Sequence, residues 1–366
     1  MADALPSIVV TGISGNLGQR LLPMLSGFRV VGVDFRAPKT EVPLKFVQMD
    51  LSVESSCQEF LSLLREVRPV AVVHLAFVMD AVRTGILDRD RMWQVNVAGT
   101  ARVMEAVTEA NREWPMVEKF IFISSVSAYG PNLSTPATED TSLAAHTYIY
   151  GVHKMESDKV VQQRAPALRG CSVYILRPHI FAASDIQNYF MEAFRGVPGG
   201  TSKRAAKMRE SGTRLPCMLP TGDKYLHHRM QFVHIEDVAR LITFILHKTE
   251  PESQRLTILN VAGRGGTLTY DQCIRLANAK LVRVPTEKLF GLVLKFLWAI
   301  KLSTIPPDVA SYMTSDTVMD TSRLQAFLGY EYENVIRFPI ADAFSECFRK
   351  PEVKEQAVPA EKVKVS

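Results

Sequence analysis

Short apolar runs rich in β-branched residues alternate with amphipathic helical segments through the first half of the chain, and this alternation limits the possible folds most strongly. Strands that alternate with helices are joined by right-handed crossovers, which require a parallel sheet covered by helices on both faces. The sequence therefore predicts an α/β fold with a Rossmann-type, doubly wound parallel sheet. The predicted strands are residues 7–11, 29–33, 45–48, 71–75, 119–123 and 171–176, and the predicted helices are residues 17–25, 53–65, 95–110 and 148–164.

The alternation stops after Arg177-Pro178, and the rest of the chain predicts a second, smaller domain. Residues 184–230 are basic and rich in loop-forming residues, a strand–helix–strand pattern returns at 230–261, and residues 267–349 have mainly helical periodicity. A cleft between two such domains is the usual place for a substrate. The predicted parts are a nucleotide-binding domain (1–183 and 231–262), a mostly helical substrate-binding domain (184–230 and 263–350) and a disordered tail (351–366).

The composition excludes several classes of protein. Hydrophobic residues make up 47% of the chain and charged residues 22%, which is typical of a soluble globular protein. The formal charge of +5 is small, and the basic cluster at 203–209 lacks interleaved aromatic residues, so we interpret it as a solvated loop without nucleic-acid binding. The most apolar stretch, 289–300, contains Lys295 and is shorter than the roughly 20 residues that a bilayer span needs.

The N-terminus and the cysteines indicate a cytoplasmic protein. No basic segment followed by a long apolar run precedes the first predicted strand, so we expect no signal peptide. The cysteines are odd in number and none has metal-ligand spacing, which favours free thiols in a reducing compartment and no metal site. They are Cys57, Cys171, Cys217, Cys273 and Cys347.

A glycine-rich turn follows the first predicted strand, in the order Thr11-Gly12-Ile13-Ser14-Gly15-Asn16-Leu17-Gly18. Gly12 permits the tight turn, Gly15 lets a pyrophosphate approach the backbone, and Gly18 lets helix and strand pack closely. The next helix then presents free N–H groups and a partial positive charge to the phosphates. Glycine spacing alone is weak evidence, but the position between a strand and a helix predicts a dinucleotide-binding site.

Asp34 ends the second predicted strand, sixteen residues after Gly18. A carboxylate there accepts hydrogen bonds from the adenosine ribose hydroxyls, and its charge repels a 2′-phosphate. The sequence therefore favours NAD over NADP as the cofactor. Arg36, two residues further on, would soften this preference, so NADP stays an alternative.

Tyr150 and Lys154 lie four residues apart in a segment with helical periodicity, which places both side chains on one helix face. A tyrosine has a pKa of about 10, and a neighbouring ammonium lowers it, so that the hydroxyl can exchange a proton with a substrate. Ser125 ends a predicted buried strand at the carboxyl edge of the sheet, where it can hydrogen-bond the same substrate oxygen. These three residues form the predicted catalytic group, with a purely structural role as the alternative for each.

Together these residues resemble the extended short-chain dehydrogenases/reductases, in the branch of the NAD-dependent epimerase/dehydratase family. The resemblance runs in order from residue 7 to about residue 262, with a weaker echo at 320–330. The matching segments are 11–18 (TGxxGxxG), 73–76 (HLA), 95–100 (VNxxGT), 124–130 (SSxxxYG), 150–154 (YxxxK), 176–178 (LRP) and 232–239 (FVHIEDVA).

The resemblance implies roles for particular residues. Tyr150 would be the acid–base group, Lys154 would hold the nicotinamide ribose and lower the tyrosine pKa, and Ser125 would orient the substrate oxygen. Relatives often dimerise through two helices of the nucleotide-binding domain, so helix 95–110 and the Tyr150 helix could form a homodimer interface. The residues that would contact the cofactor are Gly12, Gly15, Asn16, Leu17, Gly18, Asp34, Asp50, Leu51, Leu75, Ala76, Phe77, Tyr150, Lys154, Pro178 and Ile180.

Two departures from the family pattern bear on the substrate. His179 follows Arg177-Pro178, where sugar-nucleotide epimerases usually have an asparagine that grips a phosphate. Met230 stands where many relatives have an arginine, and Arg229 is displaced by one residue. The apolar segment 289–298 resembles the hydrophobic C-terminal helix of sterol-dehydrogenase-like members, but we interpret it as an ordinary core helix.

The sequence thus predicts an NAD-dependent oxidoreductase that transfers a hydride between NAD and a CH–OH carbon of a small molecule, with a hydrophobic or sterol-like alcohol slightly favoured. A nucleotide-sugar epimerase or dehydratase is the alternative, because it would use the same hydride on the same substrate. A non-catalytic protein that senses the cofactor is a further alternative. Such members commonly lose the tyrosine or the lysine, whereas this chain has both Tyr150 and Lys154.

Overall fold

The computed structural model describes residues 5–38, 44–79, 88–114, 116–186, 188–249 and 256–349, so the predicted tail at 351–366 lies outside the described residues. The strands are β1 Ser7–Thr11, β2 Arg29–Asp34, β3 Lys45–Gln48, β4 Ala71–His74, β5 Lys119–Ile123, β6 Ser172–Pro178, β7 Ile180–Ala182, β8 Cys217–Pro220, β9 Arg229–Met230, β10 Phe232–His234, β11 Leu256–Val261, β12 Leu268–Thr269 and β13 Leu281–Val284.

The α-helices are α1 Asn16–Leu21, α2 Ser56–Val67, α3 Arg89–Trp93, α4 Gly99–Glu113, α5 Ile149–Arg164, α6 Tyr189–Arg195, α7 Lys203–Glu210, α8 Lys224–His227, α9 Ile235–His247, α10 Tyr270–Leu276, α11 Glu287–Ala299, α12 Ala310–Met313, α13 Ser322–Leu328, α14 Tyr332–Val335 and α15 Ile340–Glu346. A π-helical turn, Gln94–Ala98, precedes α4, so the helix predicted at 95–110 begins in a wider helical form. Single π turns of this kind are frequent at functional sites.

Seven parallel strands in the described part of the chain form the main sheet, in the order β11-β6-β5-β4-β1-β2-β3. Strand β1 lies between β2 and β4, with Thr11 opposite Val33 on one side and His74 on the other. The strand order reverses at β1 and β4, and open sheets of this type bind ligands beyond the carboxyl ends of the strands at the reversal. The predicted Rossmann-type fold is confirmed.

Helices cover both faces of the main sheet, which explains why its strands are continuous apolar runs. Ile8 and Val10 of β1 point to one face and pack with residues of α1 and α9. Val9, between them, points to the other face and packs with residues of α2 and α4. Alternate residues of one strand therefore belong to two separate cores, and both cores hold the glycine turn after β1 in place.

A buried ion pair fixes helix α5 against the sheet. Arg177 Nε and Nη2, at the end of β6, donate to the Asp158 carboxylate at 2.9 and 3.0 Å, and both side chains are almost fully buried. Arg177 Nη1 also donates to Tyr129 Oη at 2.8 Å. Loss of either partner would leave a buried charge uncompensated. Because α5 carries Lys154 one turn before Asp158, this pair sets the rotation of the helix that bears the predicted catalytic residues.

The second half of the chain differs from the sequence prediction in several places. The basic cluster at 203–209 is not a loop, because the helix α7 spans Lys203–Glu210. Ser202 caps this helix, since its side chain accepts a hydrogen bond from Ala205 N at 3.2 Å. Three small strand pairs also occur there: β7 with β10, β8 with β13, and β9 with β12. The predicted domain boundaries stay a proposal. None of the described helices is long and apolar enough to cross a bilayer.

Candidate active site

The glycine turn brings β1 close to the segment after β4. Gly12 has φ of +72°, and a Cβ atom there would lie 2.5 Å from Ala76 N, so a larger residue fits neither the conformation nor the space. Gly15 precedes the first residue of α1. A Cβ atom on Gly18 would lie 2.5 Å from Ile13 O. The three glycines therefore permit the tight turn and the close packing of α1 that the sequence predicted.

A cavity of about 340 Å³ lies beyond the carboxyl ends of β1, β2 and β4. Most residues predicted to contact the cofactor line it, namely Gly12, Gly15, Asp34, Asp50, Leu51, Leu75, Ala76 and Phe77. Asn16, Leu17 and Gly18 lie beside it in the first turn of α1, where Leu17 and Gly18 are buried and Asn16 is exposed. The structure thus gathers residues that follow β1, β2, β3 and β4 into one cavity.

Asp34 is tied to the glycine turn. Its Oδ2 accepts a hydrogen bond from Ser14 N at 3.0 Å, and its Oδ1 accepts one from Arg36 N at 3.3 Å. Ser14 Oγ donates to the carbonyl of Arg36 at 2.6 Å, which joins the turn to the end of β2. The carboxylate is therefore held at the cavity wall by backbone groups.

Sequence reasoning missed three residues of this region. Ser14 bonds Asp34, and Arg91 lies 3.3 Å from the Asp50 carboxylate across the cavity wall. Asn96 accepts from Val78 N at 2.7 Å and donates to Val78 O at 3.0 Å, which anchors the segment after Phe77. Asn96 was detectable through the VNxxGT motif, whereas nothing in the local sequence identifies Arg91.

Ser125, Tyr150 and Lys154 converge at the carboxyl edge of the sheet. Tyr150 and Lys154 lie one turn apart on α5, and the Ser125 side chain is near enough to the Tyr150 hydroxyl to lower its pKa. Ser125 Oγ also accepts from Ser127 N at 3.1 Å, which leaves its own hydrogen available to Tyr150. Lys154 Nζ donates to the carbonyl of Ile123 at 2.6 Å. The three predicted catalytic residues are therefore close together, as expected.

Phe77 stands between this group and the cavity. Its ring lines the cavity, its centroid is 3.5 Å from Lys154 Nζ, and it makes an edge contact with Tyr150 at a centroid separation of 5.6 Å. Phe77 was predicted only to line the cofactor path. In the structure the Phe77 ring also covers the Lys154 ammonium group, on the side that would face a cofactor.

Burial changes the proton affinities of both residues on α5. It raises the pKa of Tyr150 to about 12, against a hydrogen bond from Ser125 that lowers it. It lowers the pKa of Lys154 to about 7, against the charge of Asp158, which raises it. The expectation that Lys154 lowers the tyrosine pKa is therefore not met in this structure, where Ser125 supplies the lowering contribution. The reason is that Lys154 Nζ lies 5.8 Å from the centre of the Tyr150 ring and bonds Ile123 instead.

Two predicted cofactor residues, Pro178 and Ile180, do not line the described cavity. Pro178 ends β6 and Ile180 begins β7, so both are at the carboxyl edge of the sheet. His74 is buried and structural: its Nδ1 lies 2.7 Å from Thr11 Oγ1 and its Nε2 lies 3.0 Å from Thr100 Oγ1. Burial and the charge of Lys154 lower the His74 pKa to about 3, so it stays neutral.

The cavity suits the adenosine half of a dinucleotide. Gly12 and Gly15 leave room for a pyrophosphate near the backbone, and the Asp34 carboxylate faces the same space that a ribose would fill. The nicotinamide half would occupy the space next to Tyr150 and Lys154, which the Phe77 ring fills in this structure. The residues present therefore fit NAD, with Phe77 as the side chain that has to turn aside.

Replacement of Asp34 by asparagine is expected to weaken NAD binding by roughly tenfold, because hydrogen bonds to a charged group contribute about 1.5–3 kcal/mol each. NADP binding is expected to change less or to improve, because the repulsion of its 2′-phosphate is removed. Calorimetric titration of both cofactors measures this. Asp342→Asn, at an exposed position of α15, is the matched control. Equal loss for NAD and NADP in Asp34→Asn would contradict the assigned role.

A larger cavity, of about 780 Å³, lies elsewhere on the sheet. Its lining includes Phe28, Arg29, Lys45 and Glu66, at the amino-terminal ends of β2 and β3. Ligands of parallel sheets bind at the opposite, carboxyl edge. The smaller cavity, at the carboxyl edge, is therefore the candidate site, because its position on the sheet is a better guide than its volume.

The residues at the positions where sugar-nucleotide relatives bind a phosphate make other contacts in this structure. Arg229 donates to the Asp316 carboxylate from Nε at 3.1 Å and from Nη2 at 2.9 Å, and Met230 is buried. His179 Nε2 bonds the carbonyl of Thr317. These side chains are thus committed to partners in the protein. Next to Tyr150, aromatic rings of Tyr148, Tyr189 and Tyr312 form a continuous cluster.

Comparison with known proteins places this geometry in a family context. The model of the NAD dependent epimerase/dehydratase family matches residues 8–262, a segment that contains every predicted catalytic and cofactor-binding residue. An uncharacterised protein of Sinorhizobium fredii is 27% identical over 235 residues, which cover 63% of this chain and 51% of that protein. The chain spans about half the length of the curated relatives it matches.

Solved structures share the fold over nearly the whole chain. The UDP-glucose 4-epimerase of Thermotoga maritima, solved with UDP-glucose, has a TM-score of 0.65 and 18% identity and covers 93% of this chain and 97% of its own. The UDP-glucose 4-epimerase of Thermus thermophilus, solved with NAD, has a TM-score of 0.63 and 18% identity and covers 94% and 100%. At these identities the comparison establishes the fold.

Proposed function

The chain belongs to the NAD-dependent epimerase/dehydratase family, and we propose that it transfers a hydride between NAD and a CH–OH carbon of its substrate, with Tyr150 exchanging the hydroxyl proton. The observation that carries this proposal is the convergence of Ser125 and Lys154 on Tyr150, one aromatic ring away from the cavity that holds Asp34. When bound, NAD supplies the acceptor or donor of the hydride. Gly12, Gly15, Asp34, Asp50 and Lys154 would hold it.

The raised pKa of Tyr150 favours a role as a proton donor. With its pKa raised to about 12, the phenol keeps its proton at neutral pH and can pass it to a carbonyl oxygen whose carbon is being reduced. Ser125 would donate a hydrogen bond to the same oxygen. In the direction of oxidation, Tyr150 must first lose its proton, and Ser125 is the group whose contribution lowers the Tyr150 pKa and so favours the phenolate.

A nucleotide sugar is the substrate class that we propose first. Its support comes from family membership and from structural neighbours that carry UDP-glucose or act on it. Arg229 is paired with Asp316, and His179 is hydrogen-bonded to the carbonyl of Thr317. A diphosphate would therefore be held by groups other than the arginine and asparagine that are usual in relatives. An epimerase or dehydratase would return the hydride to the same substrate, whereas a dehydrogenase would release NADH.

An apolar alcohol is the second candidate, and one observation favours it. Tyr148, Tyr189 and Tyr312 present aromatic surface next to Tyr150, and Met230 is buried where many relatives have a cation. Aromatic and aliphatic walls bind apolar rings through surface burial. The hydride and proton steps at Tyr150 would be the same for both classes.

Thermal unfolding of the NAD-saturated chain with excess UDP, dTDP or GDP separates the two classes. A nucleotide at a hundred times its Kd stabilises the folded state by about 2.7 kcal/mol, which is a readily measured rise in Tm. We expect a rise with one of the three, and AMP at the same concentration is the control for non-specific binding. No rise with any of them would contradict the nucleotide-sugar proposal and leave the apolar alcohol.

A further inference from the structure

Helix α11 is not the core helix that the sequence predicted, because one of its faces is apolar and exposed. Phe290 and Leu294 are buried, whereas Leu289, Leu292, Phe296 and Trp298 are 41%, 61%, 62% and 46% exposed. Leu289, Leu292 and Phe296 are spaced by three and four residues, so they share one side of the helix. Single exposed apolar residues are normal, but a row of three large ones on one helix face marks an interaction surface.

Positive charges surround this row. Lys288 and Lys295 lie four residues before and three residues after Leu292, so they neighbour it on the helix surface, and Lys301 follows the end of the helix. All three are exposed. Within the described residues they make no ion pair with a carboxylate. The row therefore combines apolar side chains with unpaired ammonium groups.

The basic helix α7 extends the positive surface. Ser202, which caps α7, donates its N–H to the carbonyl of Lys301 at 3.0 Å, and Gly200 N donates to Leu302 O at 3.1 Å. The first turn of α7, with exposed Lys203 and Arg204, is thus attached to the C-terminal end of α11. Segments 203–210 and 287–301 together contain seven Lys or Arg and two Glu, so the net charge of this region is positive.

We infer that α11 and the first turn of α7 bind the surface of an anionic lipid bilayer, with Leu289, Leu292 and Phe296 inserted between the headgroups. Helices that lie in a membrane interface combine apolar side chains, often with tryptophan, and Lys or Arg at the edge of the polar region. Lysines near an anionic surface each contribute about 1 kcal/mol of attraction. A second copy of this chain would carry the same positive charge on the same face, which disfavours a symmetric contact through it.

The dimensions of α11 agree with a helix that lies on the bilayer. Its thirteen residues extend about 20 Å, which is less than the roughly 30 Å of hydrocarbon that a span must cross. Its buried face packs in the same cluster as Tyr148 and Tyr312, beside Tyr150. Docking through the exposed face would therefore place the aromatic side of the candidate active site one helix away from the lipid.

Co-sedimentation of the full chain with vesicles tests this inference without any use of activity. We expect at least about tenfold more protein with phosphatidylcholine vesicles that contain a quarter phosphatidylglycerol than with pure phosphatidylcholine, and less binding at high salt. Leu292→Ser with Phe296→Ser should reduce binding at least about tenfold while leaving the Tm nearly unchanged, since both side chains already face solvent.

Leu276→Ser with Tyr330→Ser is the matched control, because these side chains are 43% and 92% exposed elsewhere on the surface and should not affect binding. Lys295→Gln with Lys203→Gln should weaken binding to the anionic vesicles only. Equal binding to both vesicle types, or undiminished binding of the Leu292/Phe296 variant, overturns the inference. A third result also overturns the inference. If light scattering shows that the wild type is a dimer and the Leu292/Phe296 variant a monomer, while vesicle binding is unchanged, the exposed face of α11 joins two copies of the chain.

Discussion

Replacement of Tyr150 by phenylalanine is expected to lower kcat by about 10²–10⁴-fold, the usual contribution of a positioned acid–base group. The change removes one oxygen atom and keeps the ring that contacts Phe77 and Tyr148. The cavity that holds Asp34 is untouched, so calorimetry should find nearly the same Kd for NAD. Turnover is measured once the nucleotide screen has identified a substrate class.

Tyr330→Phe is the matched control for this prediction, because Tyr330 is 92% exposed and is not among the residues that line the cavity. It should leave both kcat and the Kd for NAD unchanged. A Tyr150→Phe variant that keeps most of its activity would remove Tyr150 from the proton step. A variant that loses NAD binding as well would show that the effect is structural.

Replacement of Lys154 by methionine is expected to stabilise the free protein while abolishing turnover. With a pKa lowered from its usual 10.5 to about 7, the charged lysine costs on the order of 5 kcal/mol in this site at acidic pH. The variant also loses the hydrogen bond to Ile123, which is worth about 1 kcal/mol. The free energy of unfolding should therefore rise by ~4 kcal/mol at pH 6.

The pH dependence of this gain has a fixed sign. Between pH 7 and pH 10.5 the unfolded chain binds more protons at Lys154 than the folded chain does, so the wild type gains stability as pH rises through this window. The advantage of Lys154→Met should accordingly be largest at or below pH 7 and vanish near pH 10.5. Urea unfolding at pH 6, 8 and 9.5 measures it, with Lys159→Met on the same helix as the control. A gain that is constant with pH, or a loss of stability at pH 6, contradicts the account.

The sequence was sufficient for the sheet because its information there is local. The central strands of the main sheet are buried on both faces, so residues 7–11 or 119–123 appear as continuous apolar runs. The glycine turn and the Tyr150–Lys154 spacing are also local patterns, and the structure brings both to the carboxyl edge. Strand ends were predicted to within a few residues, since the apolar runs define them only loosely.

The features that decide access and specificity join distant parts of the chain. Phe77 lies over Lys154 because Asn96 anchors Val78 behind it, and Arg229 is paired with Asp316 eighty-seven residues away. No local pattern reports such contacts. Helix α7 was detectable from local sequence, because Ser202 is a capping residue before good helix formers. The prediction of a loop rested on the run of positive charges and overlooked this cap.

The exposed face of α11 was also beyond the reach of sequence reasoning. An apolar helix shows the same residues whether all of them are buried or one face is left open, since periodicity does not reveal what covers the second face. Only the burial of Phe290 and Leu294, beside the exposure of Leu292 and Phe296, separates the two cases. Lys288 and Lys295 show that part of the helix surface is polar, but they do not show that the apolar residues beside them are exposed.

A crystal structure of the chain with NAD tests the central claim most directly, because the claim is that the cavity at Asp34 and the Tyr150–Lys154 pair are one site. We expect the adenosine ribose at Asp34, the nicotinamide ring beside Tyr150, and Phe77 turned away from Lys154. A nicotinamide ring directed away from Tyr150, with Phe77 still against the Lys154 ammonium, would contradict the account.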